Sequence, residues 1–190
     1  MAAGDLTTLA YVQAYIGNPL FGNSPSLPAI ITAASVFVAN FCSRNFYITA
    51  YNDTFNGSGN CRLMLRSNPV VSVASLTING QNVPAAPSVI QCGYTFDKYG
   101  LWLRGWVFPK TIQGIAVSYS AGYAASADAM PADLQECIAI MCNIRLKRVG
   151  QEDKSSVGME NQTTTFVASE LTPLVRQILA QYKQPLLASP

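Results

Sequence analysis

The chain contains no histidine. That removes Ser-His-Asp and Cys-His nucleophile pairs and every imidazole-ligated metal site. Its five cysteines, Cys42, Cys61, Cys92, Cys137 and Cys142, form no Cys-x-x-Cys pair; reduced thiols spaced this way commonly act as small buried hydrophobes. The ten acidic residues are scattered, with Asp53, Asp97, Asp128, Asp133 and Glu136 falling mostly at turns or a helix start. A carboxylate pair brought together by the fold, as in glycosidases, stays open as catalytic chemistry. The glycine-rich "NGSGNCR" lacks the Gly-Lys-Ser/Thr end that grips phosphates, and no Gly-x-Gly-x-x-Gly follows a strand. The reading therefore assigns no catalytic residue, no cofactor and no metal. The remaining group with chemical character is aromatic: Tyr94, Phe96, Tyr99, Trp102, Trp106 and Phe108. It could be a sugar or base platform. The alternation in "YTFDKYGLWLRGWVF" favours a sandwich core with one exposed contact surface.

The charge distribution says more. Charged residues make up 12% of the 190-residue chain, against about 25% in ordinary soluble domains. From Leu6 to Ser43 there is no Asp, Glu, Lys or Arg, and further uncharged runs span Ser67 to Phe96 and Thr111 to Ala127. Soluble monomers cover themselves with mixed charge, whereas the centres of protein–protein interfaces are depleted in it. The longest apolar run, "LPAIITAASVFVANFC", is interrupted by Thr32, Ser35 and Asn40 and falls short of a bilayer span. Burial against other protein chains is the better reading, and no membrane partner is expected. "MAAGDLTTLA" lacks the basic region and apolar core of a signal peptide, which points to the cytoplasm. The formal charge of +2 is indifferent to polyanions.

These properties need elements to carry them. "DLTTLAYVQAYIG" reads as a helix capped by Asp5 and stopped by Gly17. Ser26 caps a second helix, with Leu27, Ile30, Ile31, Ala34, Phe37, Val38 and Phe41 as its apolar stripe. Its opposite face holds Thr32, Ala33, Ser35, Val36 and Ala39, small and dry. From Phe46 to Tyr123 the pattern turns to short β-branched and aromatic strands, with Asn79-Gly80 as a hairpin turn. Pro131 opens a third helix that is apolar on nearly every side and ends at Gly150. Asp133 and Glu136 sit near its positive end and Arg145, Lys147 and Arg148 near its negative end. "QEDKSSVGMENQTTT" reads as an exposed arm or long loop. Thr172 then caps a last helix whose stripe is Leu174, Val175, Ile178, Leu179 and Tyr182; it either folds back on its own core or docks on a partner. The predicted class is α+β: a helical bundle core (1–45 and 124–150), an inserted antiparallel β-sandwich or barrel-like domain (46–123), and a C-terminal arm with its helix (151–190).

The order of these pieces resembles a known family. "DLTTLAYVQAYIG", "ANFCSRNF", "YNDTFNGSGNCRLMLRSNPVVSVASLTING", "LWLRGWVFP", "VSYSAGYAASADAMPADLQECI" and "LTPLVRQILAQYKQP" together are similar to the head–tail connector proteins of tailed bacteriophages, the adaptor or head-completion family. The resemblance covers nearly the whole chain, and its most characteristic part is the Ala-Gly-Tyr turn followed by Pro-x-Asp-Leu. It implies a non-enzymatic virion protein at the head–tail junction, assembled in the host cytoplasm as a homo-oligomeric ring, usually of twelve copies, beneath the portal protein. Such a ring extends the DNA channel, with no sequence-specific binding, and meets a stopper or tail protein. Because relatives reach the portal with their C-terminal segment, Leu174, Val175, Ile178, Leu179 and Tyr182 become expected portal contacts. A ring needs two different dry faces per subunit. The second and third helices can supply them through Thr32, Ser35, Val36, Ala39, Ile140 and Ile144. The alternative is a β-domain binding module that recognises a carbohydrate or host surface through its exposed aromatics.

Overall fold

Thr8, rather than Asp5, starts the first helix, α1 (Leu9–Ile16): its hydroxyl accepts the Tyr11 N–H at 3.2 Å. The residues before it run along α3 (Leu27–Cys42), where the Leu6 N–H donates to Ser35 Oγ at 3.0 Å. Asp5 is 2% exposed, and its carboxylate accepts the Thr32 hydroxyl at 2.8 Å. A side chain engaged in this way is not available to cap. Gly17 closes α1 at φ 62°, a left-handed conformation that glycine adopts without penalty. A single turn, α2 (Pro19–Gly22), lies in the stretch expected to be loop. The computed structural model describes residues 4–88, 91–149, 156–159, 162–165 and 171–184, and the expected stop at Gly150 falls outside them. They divide into two compact units, one holding the chain up to Arg44 and again from Ser126 to Gln184, the other Asn45–Ala125.

The helical unit is organised around α4 (Ala132–Arg148), which packs against α1, α3 and α5 (Pro173–Tyr182). Leu134, Cys137, Ile138, Ala139, Met141, Cys142 and Leu146 are all buried. The dryness of this helix therefore has a source within the chain: three neighbouring helices cover most of its circumference. Pro131 lies at the N-cap rather than inside the first turn. The buried Gln135 is satisfied, its amide donating to the Met130 carbonyl at 2.9 Å. The C-terminal helix folds back on this core. Thr172 Oγ1 accepts the Val175 N–H, Val175 and Leu179 are fully buried, and the Gln184 N–H donates to the Cys42 carbonyl at 3.0 Å. Burying two such side chains stabilises by about 1.5–3 kcal/mol each.

The β unit contains two antiparallel sheets. One has the order β1-β7-β3-β4, from β1 (Thr49–Phe55), β7 (Ile115–Ala121), β3 (Val70–Ile78) and β4 (Gln81–Val83). The other has the order β2-β6-β5, from β2 (Arg62–Met64), β6 (Gly100–Arg104) and β5 (Gly93–Phe96). These are two open sheets rather than a closed barrel. Inward residues of both, among them Leu63, Leu76, Leu101, Ile115, Val117 and Tyr119, share one core with Leu65 and Phe108. Asn79 (φ 49°) and Gly80 (φ 80°) make the expected turn between β3 and β4, pairing Ile78 with Gln81. At Gly122 (φ 149°) a side chain would collide with the Tyr47 carbonyl and Ile48 nitrogen, which explains the glycine of the Ala-Gly-Tyr turn. The stretch read as an exposed arm or long loop contains two paired strands, β8 (Ser156–Met159) and β9 (Gln162–Thr165).

Candidate interaction surfaces

Helix α3 presents an uncharged outer face. Leu27, Ile31, Ala34, Ser35, Val38 and Cys42 point inward. Phe37 and Phe41, expected in that stripe, lie at its margin, half-buried and stacked with ring centroids 6.3 Å apart. The helix is rotated relative to the hydrophobic reading because Ser35 has a polar task inside, accepting the Leu6 N–H. What remains outside is Ala29, Ala33, Val36 and Asn40, spaced to form one stripe, with Val36 54% exposed. Of the expected interface residues, Val36 is thus open. Thr32, Ala39, Ile140 and Ile144 are half-buried, and Ser35 is enclosed. Ile140 and Ile144 stand one turn apart on α4, so their exposed portions share one face.

Helix α5 is divided in the same way. Leu174 is 52% exposed, Ile178 and Tyr182 are half-buried, and Val175 and Leu179 belong to the core of this chain. The Tyr182 hydroxyl meets both Asp133 carboxylate oxygens at 2.7 Å, tying the end of α5 to the first turn of α4. Around this seam the thiols are raised by burial, Cys42 to about 11 and Cys137 to about 12, so both are neutral packing groups.

In the β unit the aromatic series divides between core and surface. Tyr94 and Phe108 are buried, while Phe96, Tyr99, Trp102 and Trp106 are exposed. Trp102 stands on the outer face of the three-stranded sheet, directly across from Arg62 on β2 and Thr95 on β5. The Arg62 guanidinium lies 4.7 Å from the Trp102 ring centroid, a cation–π contact. Trp102 Nε1 donates to Asp97 Oδ2 at 3.0 Å, and Asp97 Oδ1 accepts the Tyr99 and Gly100 N–H groups at 2.7 and 2.8 Å. The Trp102 hydrogen bond, aided by those two amides and the Arg62 charge, holds the Asp97 carboxyl below its usual range. Sequence reading found the aromatics and missed this Arg62–Trp102–Asp97 lock. Its parts lie on different strands, and only the register brings them together.

A surface groove of about 850 Å³ runs beside Trp106 and Val107, with Cys61, Ile78, Asn82 and Pro109 in its wall. Its lining has no carboxylate, amine or guanidinium. Among the described residues no three Cys, Asp or Glu side chains are placed to hold a metal ion, and no helix is long and apolar enough to cross a membrane.

The chain thus combines an α+β fold with an uncharged outer helix face and an exposed aromatic sheet face. A family profile described as Head completion protein matches residues 5–185, and the chain belongs to that family. No curated protein matches it. Similar solved chains occur in the neck of an empty GTA particle computed with C6 symmetry (TM-score 0.59, 15% identity, covering 100% of this chain and 95% of that one). Others occur in the neck of a native GTA particle computed with C12 symmetry (0.54, 14%, 100% and 96%) and in the virion of a native gene transfer agent particle (0.59, 14%, 100% and 95%). At these identities the likeness is one of fold.

Proposed function

We propose that this chain is a non-enzymatic structural protein of the head–tail junction that assembles into a ring, docks on the portal, extends the DNA channel and joins the capsid to a stopper or tail. The observation that carries this reading is the uncharged outer stripe of α3, with Val36 open to solvent on an otherwise well-packed helix. In a closed ring each subunit offers two different faces. The α3 stripe of one copy, centred on Val36 with Thr32 and Ala39 at its edges, meets the Ile140–Ile144 strip of the next; Ser35 acts from beneath by fixing the N-terminal segment. Membership of the head completion family supports the site of action, and the C12 neck of a similarly folded chain supports twelve copies. The portal contact is made by Leu174 and the open parts of Ile178 and Tyr182, while Val175 and Leu179 keep α5 seated. Negative-stain images of the protein with its portal should show rings. A protein that stays monomeric beside portal and fails to bind it would remove this reading.

The alternative is a carbohydrate- or host-surface-binding β module, favoured only by Trp106 beside the open groove. Trp102 serves it poorly, because Arg62 already covers one ring face. Titration with glycans while following tryptophan fluorescence decides it, no response at millimolar ligand being the negative result.

A further inference from the structure

The charge of the β unit is segregated. All five of its cations are exposed: Arg62 and Arg104 lie on the three-stranded sheet, Lys98 in its β5–β6 turn and Lys110 in the loop after β6, while Arg66 lies over the Phe55 ring of β1. The four-stranded sheet carries Asp53 alone, and that carboxylate accepts the Tyr119 hydroxyl at 2.8 Å. Asp97, the other acid, is occupied by Trp102 and two backbone amides. Five cations against two carboxylates leave the unit at +3, and three of them, Arg62, Lys98 and Arg104, lie on the sheet or turn that carries a tryptophan held on both its ring face and its N–H. Rigid aromatic side chains beside arginine are effective interface anchors because little conformational entropy is lost when they are covered.

The complementary charge lies in the same chain. Between α4 and α5, Gln151 to Glu170 carries Glu152, Asp153, Glu160 and Glu170 against Lys154 alone, a net of −3. Within that stretch β8 and β9 pair only with each other among the described strands. A two-stranded hairpin standing alone in water is marginal, so this one gains from a second surface.

We propose that the acidic stretch of one copy docks on the basic, Trp102-centred face of the three-stranded sheet of a neighbouring copy. The proposal rests on the ring reading above. One chain supplies both the anion and the cation, so the contact is head-to-tail and repeats until the ring closes. It orients neighbouring subunits by charge before the dry α3 face engages, and it weakens with salt.

The test uses full-length protein, half of it labelled with nitrogen-15, mixed as monomers, assembled with portal and treated with a zero-length carbodiimide. Expected are links from Lys98 or Lys110 to Glu152, Asp153 or Glu160, with mixed-isotope pairs as frequent as same-isotope pairs. The R104E variant, which leaves the Arg62–Trp102–Asp97 cluster in place, should lower their yield several-fold. Same-isotope links alone would put the contact within one copy and overturn the proposal, as would an assembled ring without links. If no links form and the same variant instead abolishes binding of a fluorescent oligothymidylate, the face serves nucleic acid and the proposal falls. A wild-type protein that never assembles removes the ring reading and this inference together, whereas a ring without links removes only the latter.

Discussion

Tyr182 has a large positional effect, since its hydroxyl touches both Asp133 oxygens and ties the end of α5 to the start of α4. Tyr182→Phe keeps the ring and removes the hydrogen bonds; a loss of about 1 kcal/mol is expected in urea unfolding. Buried protons give a second residue-scale expectation. Cys42 and Cys137 ordinarily ionise at 9.0 and Tyr119 at 10.0, and burial raises them to about 11, about 12 and about 12. The folded chain therefore holds these protons more tightly than the unfolded chain. Their contribution to stability is complete below the ordinary values and is lost as pH rises toward the folded ones. Urea midpoints should hold to pH ~9 and fall steadily above it. Cys137→Ala should make that fall shallower, and an unchanged slope would contradict the assignment.

At the scale of elements, α4 is the helix on which the helical unit depends. Ile138 is fully buried on it, so Ile138→Ala should cost about 2–5 kcal/mol in denaturant unfolding, the range for an aliphatic cavity. Most elements were readable in advance because their signals are local: Asn79-Gly80 for a turn, Gly17 for a helix stop, Thr172 with Pro173 for a helix start. The misplacements have non-local causes. Asp5 looks like a cap until Thr32, 27 residues away, engages its carboxylate. The inward turn of Ser35 follows from the Leu6 N–H, and β8 and β9 lack the apolar alternation that reveals a half-buried strand. The apolar middle of α4 was read as facing other subunits, yet three helices of its own chain cover most of it. Only Ile140 and Ile144 are left for that role.

For the whole molecule, solubility and assembly turn on the same shortage of charge. With 12% charged residues, the protein leaves the outer stripe of α3 and the groove beside Trp106 and Val107 uncharged in the free chain, and association covers such patches. The account places the first of these at Val36 and the electrostatic guidance at the three-stranded sheet. High salt should therefore slow ring assembly without altering the unfolding midpoint of the free chain, as stopped-flow light scattering and thermal unfolding would report. The most direct test of the central claim is the particle size of Val36→Glu, by sedimentation velocity with portal present. The account predicts a ring for the wild type and a monomer for the variant, with unfolding free energies within about 0.5 kcal/mol of each other because the site is exposed. A Val36→Glu protein that forms rings as readily as the wild type would contradict it.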